Sequence, residues 1–447
     1  MTRRITSARL ERFRRARGFT LVELMVSLVA GLLVTIAVVG LARDATTTFY
    51  EQARLSTVEA TVRSASERLR QDLTRASYMG TGNLFLARED SIKVPFGHKI
   101  SHMFGVATPS RYATTTDVQG IRILVGGSTA GAQGLNNLST TNLLNPDALE
   151  LMGNFTTDDQ YRGRVTNSGS IVTLGAANDP AVARLLAGAT PDQNMHNAFQ
   201  PGTVTAGATP PFLARVIDPR GCQHFVQIAA VAGNAATGVI NLAPAVTGDP
   251  ILSTLQDENH TCGVTDGDEV TISPLQKVRW YIGPTTAALA PDPLVEAATQ
   301  KFDLYREIVD ATGAAVPAPG GAQVVAEYAV DLKFGITVDD NTGGVVPPNN
   351  QKIFDMDLDG VSIDLWTKNA SATVSGGPSP QRVRAVRYRL ATRSALSDRE
   401  TPLPSTFGAP YISRYCTTTP LAGCKNFARV RTIMSEVPLV NQKGMTY

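Results

Sequence analysis

The hydrophobic pattern divides the chain into regions of different period. From Phe19 to Leu41 the run is almost purely apolar, broken mainly by Glu23, Ser27 and Thr35. As a helix rising about 1.5 Å per residue it reaches about 35 Å, enough to cross a hydrocarbon core of about 30 Å. Beyond it, Leu55, Val58, Val62, Ala65, Leu69, Leu73 and Ala76 recur at steps of three or four, which marks one apolar helix face. Glu59–Arg63, Glu67–Arg70 and Asp72–Arg75 stand about one turn apart and are expected on the wet side. With no proline before Pro95, one helix is predicted from residue 19 to about 78. Gly31 and Gly40 are its expected points of bending.

From Gly80 the texture changes to short apolar runs separated by Gly, Pro, Asn and Thr. Alternation predicts strands at 120–125, 148–152, 170–174, 224–231, 239–242, 269–273 and 278–282. Further strands are predicted at 302–308, 324–334, 361–366 and 382–391. A short helix is expected at 179–187, with Asp179 as N-cap and Pro180 at the first helical position. The fold class is therefore α+β: a long N-terminal helix on a β-rich, mainly antiparallel head. The expected divisions are a basic leader at 1–18, the helix at 19–78 (19–41 transmembrane) and the head at 79–447. Within the head, 128–275 reads as an insertion or subdomain, and 339–351 as a long hairpin connection.

Charge sharpens the N-terminal picture. Residues 1–18 hold seven arginines and one glutamate, so the leader carries +6 and the remainder −4 of a formal total of +2. An acidic body argues against nucleic acid as a partner. The arginine flank should stay cytoplasmic, leaving the body on the far side of the membrane. A secretory signal peptide would close its apolar run with small residues, and no A-x-A pattern does so here. A simple anchor would explain the length but not Glu23, a carboxylate that costs at most about 2.5–3.5 kcal/mol near mid-membrane unless partnered.

Arg17-Gly18-Phe19-Thr20-Leu21-Val22-Glu23-Leu24-Met25 resembles the class III signal of type IV pilins and pseudopilins. That resemblance implies cleavage by prepilin peptidase after Gly18, N-methylation of Phe19, and a role for Glu23 in aligning the subunit with a neighbour during assembly. Cleavage would expose an α-amine of pKa about 8, a suitable partner for a buried carboxylate. Four further segments follow in order: Val278-Arg279-Trp280-Tyr281-Ile282, Leu304-Tyr305-Arg306, Val330-Asp331-Leu332-Lys333-Phe334 and Val383-Arg384-Ala385-Val386-Arg387-Tyr388-Arg389-Leu390. Together with Ser27-Leu28-Val29-Ala30-Gly31-Leu32-Leu33 they look like PilW-type minor pilins. The resemblance spans 1–78 and much of 275–447.

It implies a lollipop-shaped subunit in the inner membrane with its head in the periplasm, then at or near a pilus tip. The implied partners are other minor pilins, the major pilin, prepilin peptidase and a PilY-family tip adhesin. A type II secretion pseudopilin of the J type is the alternative, and a tip-exposed adhesive or ligand-binding module is another.

Candidate chemistry elsewhere is sparse. Cys222, Cys262, Cys416 and Cys424 form no C-x-x-C, and an exported chain would pair them as disulfides. Three pairings are open, Cys222–Cys262 with Cys416–Cys424 being the simplest. Cys222-x-His224 and His260-x-Cys262 also have the composition of a Cys₂His₂ zinc set, with a disulfide as the plainer expectation. Asp355-x-Asp357-x-Asp359-Gly360 matches the first half of a calcium loop, but position twelve is Trp366 instead of Glu. A charged strand turning at Gly360 is the plainer reading there. No cofactor is expected beyond that calcium reading. With no G-x-S-x-G, P-loop or H-E-x-x-H, no catalytic residue is expected either.

Overall fold

The computed structural model describes residues 20–80, 119–127, 145–201, 212–221, 223–242, 264–284, 301–310, 315–316, 321–340, 351–368, 378–396, 414–416 and 427–443. For 223–225, 414–416 and 443 it describes the backbone alone. The chain divides into two compact units, Met1–Thr57 and Val58–Tyr447. In the first, the described residues form the initial part of helix α1 (Leu21–Thr74).

The second unit is α+β. After α1 come strands β1 (Ile121–Leu124), β2 (Ala148–Gly153), β3 (Tyr161–Thr166) and β4 (Ile171–Gly175). Helices α2 (Pro180–Leu185) and α3 (Pro191–Phe199) lead to β5 (Phe212–Ile217), β6 (Gln223–Gly233), β7 (Thr237–Leu242) and β8 (Glu269–Pro284). Then follow β9 (Phe302–Val309), β10 (Gln323–Ala326), β11 (Ala329–Asp339), β12 (Gln351–Phe354) and helix α4 (Gly360–Lys368). The chain closes with β13 (Val383–Arg393), β14 (Arg414–Cys416), β15 (Phe427–Pro438) and a short helix, α5 (Val440–Lys443). All strand pairings among the described residues are antiparallel.

β8 organises the head. Its first half pairs with β3 on one edge, from Tyr161↔Ile272 to Arg164↔Glu269, and with β5 on the other, from Leu213↔Leu275 to Ile217↔Thr271. β3, β4, β7, β6 and β5 are neighbours in that order, so the ring closes into a six-stranded barrel. β3 shows the period-two alternation of a barrel wall, with Tyr161, Gly163 and Val165 inward and Arg162 and Arg164 outward. Val165, Val172, Leu174, Val216, Val226, Ile240 and Ile272 form the barrel core, joined by Val182 of α2 and by Met195 and Phe199 of α3. Met195 lies against Gly233 and Gly238 at the β6–β7 hairpin. A Cβ on either glycine would fall 2.7–2.8 Å from its side chain.

From Gln276 onward the same strand leaves the barrel and enters a second sheet, between β2 and β9. There Val278, Trp280 and Ile282 pack with Val62, Ala65, Leu69 and Leu73 of α1 and with Ala76 in the turn that follows it. A further sheet, ordered β12-β11-β13-β15-β14, contributes Leu332, Phe334, Tyr388 and Leu390 to the same core. The periodic face read from the sequence is the face α1 buries. At its end Asn441 donates its amide to the carbonyls of Thr74 (2.8 Å) and Ala76 (3.2 Å), supplying hydrogen bonds that a helix C-terminus lacks.

Several expectations change. The predicted strands at 269–273 and 278–282 are one strand, because β8 continues through Pro274 and Leu275. The predicted strand at 324–334 is two, β10 and β11, which turn at Glu327–Tyr328 and enter different sheets. Residues 361–366 are helical, within α4: Ile363, Trp366 and Thr367 are buried at helical spacing, and the Trp366 ring meets Phe354 at 6.0 Å. Strands β3, β5, β12, β14 and β15 and helix α3 lie outside the runs named from the sequence. Residues 128–275 feed both cores, since β2 belongs with the α1 sheet and 161–275 contains the barrel strands.

Candidate anchoring and assembly site

The candidate site begins at the start of α1. Thr20 and Glu23 form a capping box: Thr20 N–H and Oγ1 donate to Glu23 Oε2 at 3.0 Å each, and Glu23 N–H donates to Thr20 Oγ1 at 3.2 Å. The T-x-x-E spacing makes this possible, and it engages the carboxylate with its own helix end. Gly18 and Phe19 lie outside the described residues.

Behind the cap, the apolar side chains from Leu21 to Leu41 are exposed on every side of the helix. The helix is long and apolar enough to cross a membrane. Ser27 and Thr35 return their hydroxyls to the carbonyls of Leu24 and Gly31, at 2.9 and 2.8 Å, so neither leaves an unmet donor in an apolar medium. α1 runs through Gly31 and Gly40 without interruption, and a Cβ at either would meet open space. Among the described residues no packing contact requires either glycine, although each costs roughly 0.5–1 kcal/mol relative to alanine in a helix.

In the head, Asp72 corrects the sequence reading: it is buried, and its partner is not Arg75. Its carboxylate accepts from Trp280 Nε1 at 2.8 Å and from Arg306 Nε at 2.7 Å. It thereby ties α1 to β8 and β9. Arg75 instead meets Asp158 at 2.8 Å. Tyr388 donates its hydroxyl to the Ser66 carbonyl at 3.1 Å and meets the Ser66 hydroxyl at 2.8 Å, which ties α1 to β13.

A buried row of charge crosses β1, β2, β8 and β9 at Arg122, Glu150, Arg279 and Glu307, which stand opposite one another in register. Glu150 meets Arg279 at 2.7 Å and Lys277 at 2.8 Å. Burial alone would raise the Glu150 pKa, but Lys277 and Arg279 outweigh it and hold the group at about 2. Glu307 accepts from Arg279 (3.1 Å) and from the Tyr281 hydroxyl (3.3 Å), and burial pushes its pKa up.

The remaining sequence candidates are dispersed. Asp355 and Asp359 shape the turn before α4, since Asp359 Oδ2 accepts from Asp355 N–H (2.8 Å) and Asp355 Oδ1 from Asp357 N–H (2.9 Å). Asp357 is paired with Arg389 at 2.7 and 2.8 Å. No group of three or more His, Cys, Asp or Glu side chains is placed to hold a metal among the described residues. Cys222, Cys262, Cys424 and His260 lie outside those residues, as do the side chains of His224 and Cys416.

The described architecture is α+β: an N-terminal helix, long and apolar enough in its first part to cross a membrane, whose later turns enter the core of a β-rich head. Residues 13–40 match the prokaryotic N-terminal methylation motif, so this helix carries a type IV pilin-like prepilin signal. No curated protein and no solved structure matched the chain.

Proposed function

We propose that the chain is a minor pilin, PilW-like in its head, which joins other minor pilins in a complex that primes or tips a type IV pilus. The observation that carries this reading is the methylation motif at 13–40, set on a helix whose apolar surface is exposed among the described residues. Helix-to-helix packing in a filament would bury that surface. Gly31 and Gly40, where an added Cβ would meet no described residue, would then allow close approach between neighbouring helices. The Thr20–Glu23 box adds a mechanism: in assembly Glu23 would exchange its contact with Thr20 for a neighbour's methylated α-amine. The barrel enlarges the head, and a bulky head suits a terminal position better than a repeating one. The role is structural, and no catalytic step is assigned.

Glu23→Ala tests the assembly role. The variant should still insert in the membrane yet fail to appear in sheared pili, and normal incorporation would sink the role given to Glu23. Deleting the gene separates pilus from pseudopilus. Lost pili with normal exoprotein secretion supports the pilin reading, and the opposite pattern assigns the chain to a type II secretion system.

A further inference from the structure

The apolar character of α1 does not stop at Leu41. Phe49 and Tyr50 stand eight and nine residues further on, 67% and 58% exposed, with their rings edge to face at 6.1 Å. Between residues 24 and 50 the only charged side chains are Arg43 and Asp44. The three consecutive threonines before the aromatic pair are satisfied internally. Thr46, Thr47 and Thr48 donate their hydroxyls to the carbonyls of Ala42, Arg43 and Asp44 at 2.7, 2.8 and 2.9 Å. They make the same bond as Thr35 within the span, so the stretch presents methyl groups and closed hydroxyls followed by two aromatic rings.

We propose that Phe49 and Tyr50 form an interfacial anchor that lies in the outer headgroup layer of the phospholipid bilayer and sets the depth of the unassembled subunit. This rests on the reading of 21–41 as a membrane span. At about 1.5 Å per residue, Phe49 lies about 12 Å along the helix from Leu41. Helical side chains lean toward the N-terminus, so both rings reach back toward the membrane by a few ångströms. With an ordinary tilt of about 20°, the rings fall roughly 8 Å beyond the hydrocarbon. The polar layer on each side is about 5–8 Å thick, so the rings lie at its outer part. Tyrosine is enriched at the headgroup level because its ring pairs an apolar body with a wet hydroxyl, and the Phe49 ring packs edge to face on Tyr50. Arg43 lies nearer the hydrocarbon and can extend its guanidinium outward to the headgroups. The arginine leader marks the opposite face, so the two ends of the helix are held by different chemistry.

Depth-dependent fluorescence quenching tests this on the full-length, uncleaved chain in vesicles of phosphatidylethanolamine and phosphatidylglycerol. Phe49→Trp and, as a mid-span control, Val34→Trp would each be compared with the parent, whose Trp280 and Trp366 are buried in the head. An indole at position 49 should emit at shorter wavelength than one in water. It should be quenched more by lipids brominated near the headgroup than by those brominated deep in the chains, with the reverse order at position 34. Water-like emission without quenching at 49, beside deep quenching at 34, overturns the anchor and leaves the span intact. Loss of quenching at both positions overturns the span reading and the anchor with it. Protection at 49 that arises only in assembled filaments assigns the pair to a neighbouring subunit's helix and also overturns the proposal.

Discussion

Asp72 shows what a helical period conveys and what it omits. Its spacing to Arg75 suits an exposed pair, yet it lies one position from Leu73 on the buried side of α1 and holds Trp280 and Arg306. Asp72→Ala would leave the Arg306 guanidinium partly buried without its carboxylate. It should destabilise the head by about 3 kcal/mol. Arg75→Ala removes an ion pair whose partner, Asp158, is 72% exposed, and should change stability by no more than about 1 kcal/mol. Denaturant titration of the two variants in detergent checks the order, and equal effects would refute it. Glu150 adds a pH signature. Its folded pKa of about 2 lies below the ordinary value of 4.5, so its stabilising contribution is complete above pH 4.5 and is lost as pH falls toward 2. The stability gap between the parent and Glu150→Gln should therefore be widest above pH 4.5 and shrink below it. A gap independent of pH would mean that Lys277 and Arg279 do not hold the carboxylate ionised.

At the scale of elements, Asp179-Pro180 reads correctly because both signals are local. The Asp179 carboxylate accepts from Ala181 N–H at 2.8 Å and also from Arg162 N–H of β3 at 2.8 Å. An ordinary N-cap loss costs about 1 kcal/mol; with the second contact, Asp179→Ala should cost about 2 kcal/mol in a thermal or denaturant melt. The helix α1, its buried face and most strands of the α1 core were similarly legible, because each has a clear period of 3.6 or 2. The misreadings have common physical causes. Val361, Ile363, Leu365 and Trp366 have strand-like composition, but the turn at Asp355–Asp359 and the contact of Trp366 with Phe354 fix a helix. β3 contains Arg162, Gly163 and Arg164, too polar a run to announce a strand, and it is held by its ladders with β4 and β8 while Tyr161 and Val165 supply its apolar contacts to the barrel core. In the candidate site, T-x-x-E was visible in the sequence. Its capping role depends on where the helix begins, which an apolar run starting at Phe19 does not mark.

Across the whole molecule, barrel closure was the least legible feature, because it depends on one strand meeting two partners far apart in sequence. Nothing local to 269–284 shows that its first half would pair with β3 and β5 and its second half with β2 and β9. Among the described residues the head consequently has two large apolar cores on one backbone. Met195→Ala would open a cavity in the barrel core alone, at a cost of about 2–4 kcal/mol. Hydrogen exchange should then show early loss of amide protection in β4, β6 and β7. The fluorescence of Trp280 and Trp366, both in the α1 core, should hold until a later transition. Simultaneous loss of both signals would show that the two cores unfold as one.

The shared strand also determines how the head bears a pull. Tension applied to the barrel would run lengthwise along β8 into the α1 core, where the ladders with β2 and β9 resist sliding together instead of parting one rung at a time. Asp72, which grips Trp280 and Arg306 beside that strand, is where the load would pass into the helix.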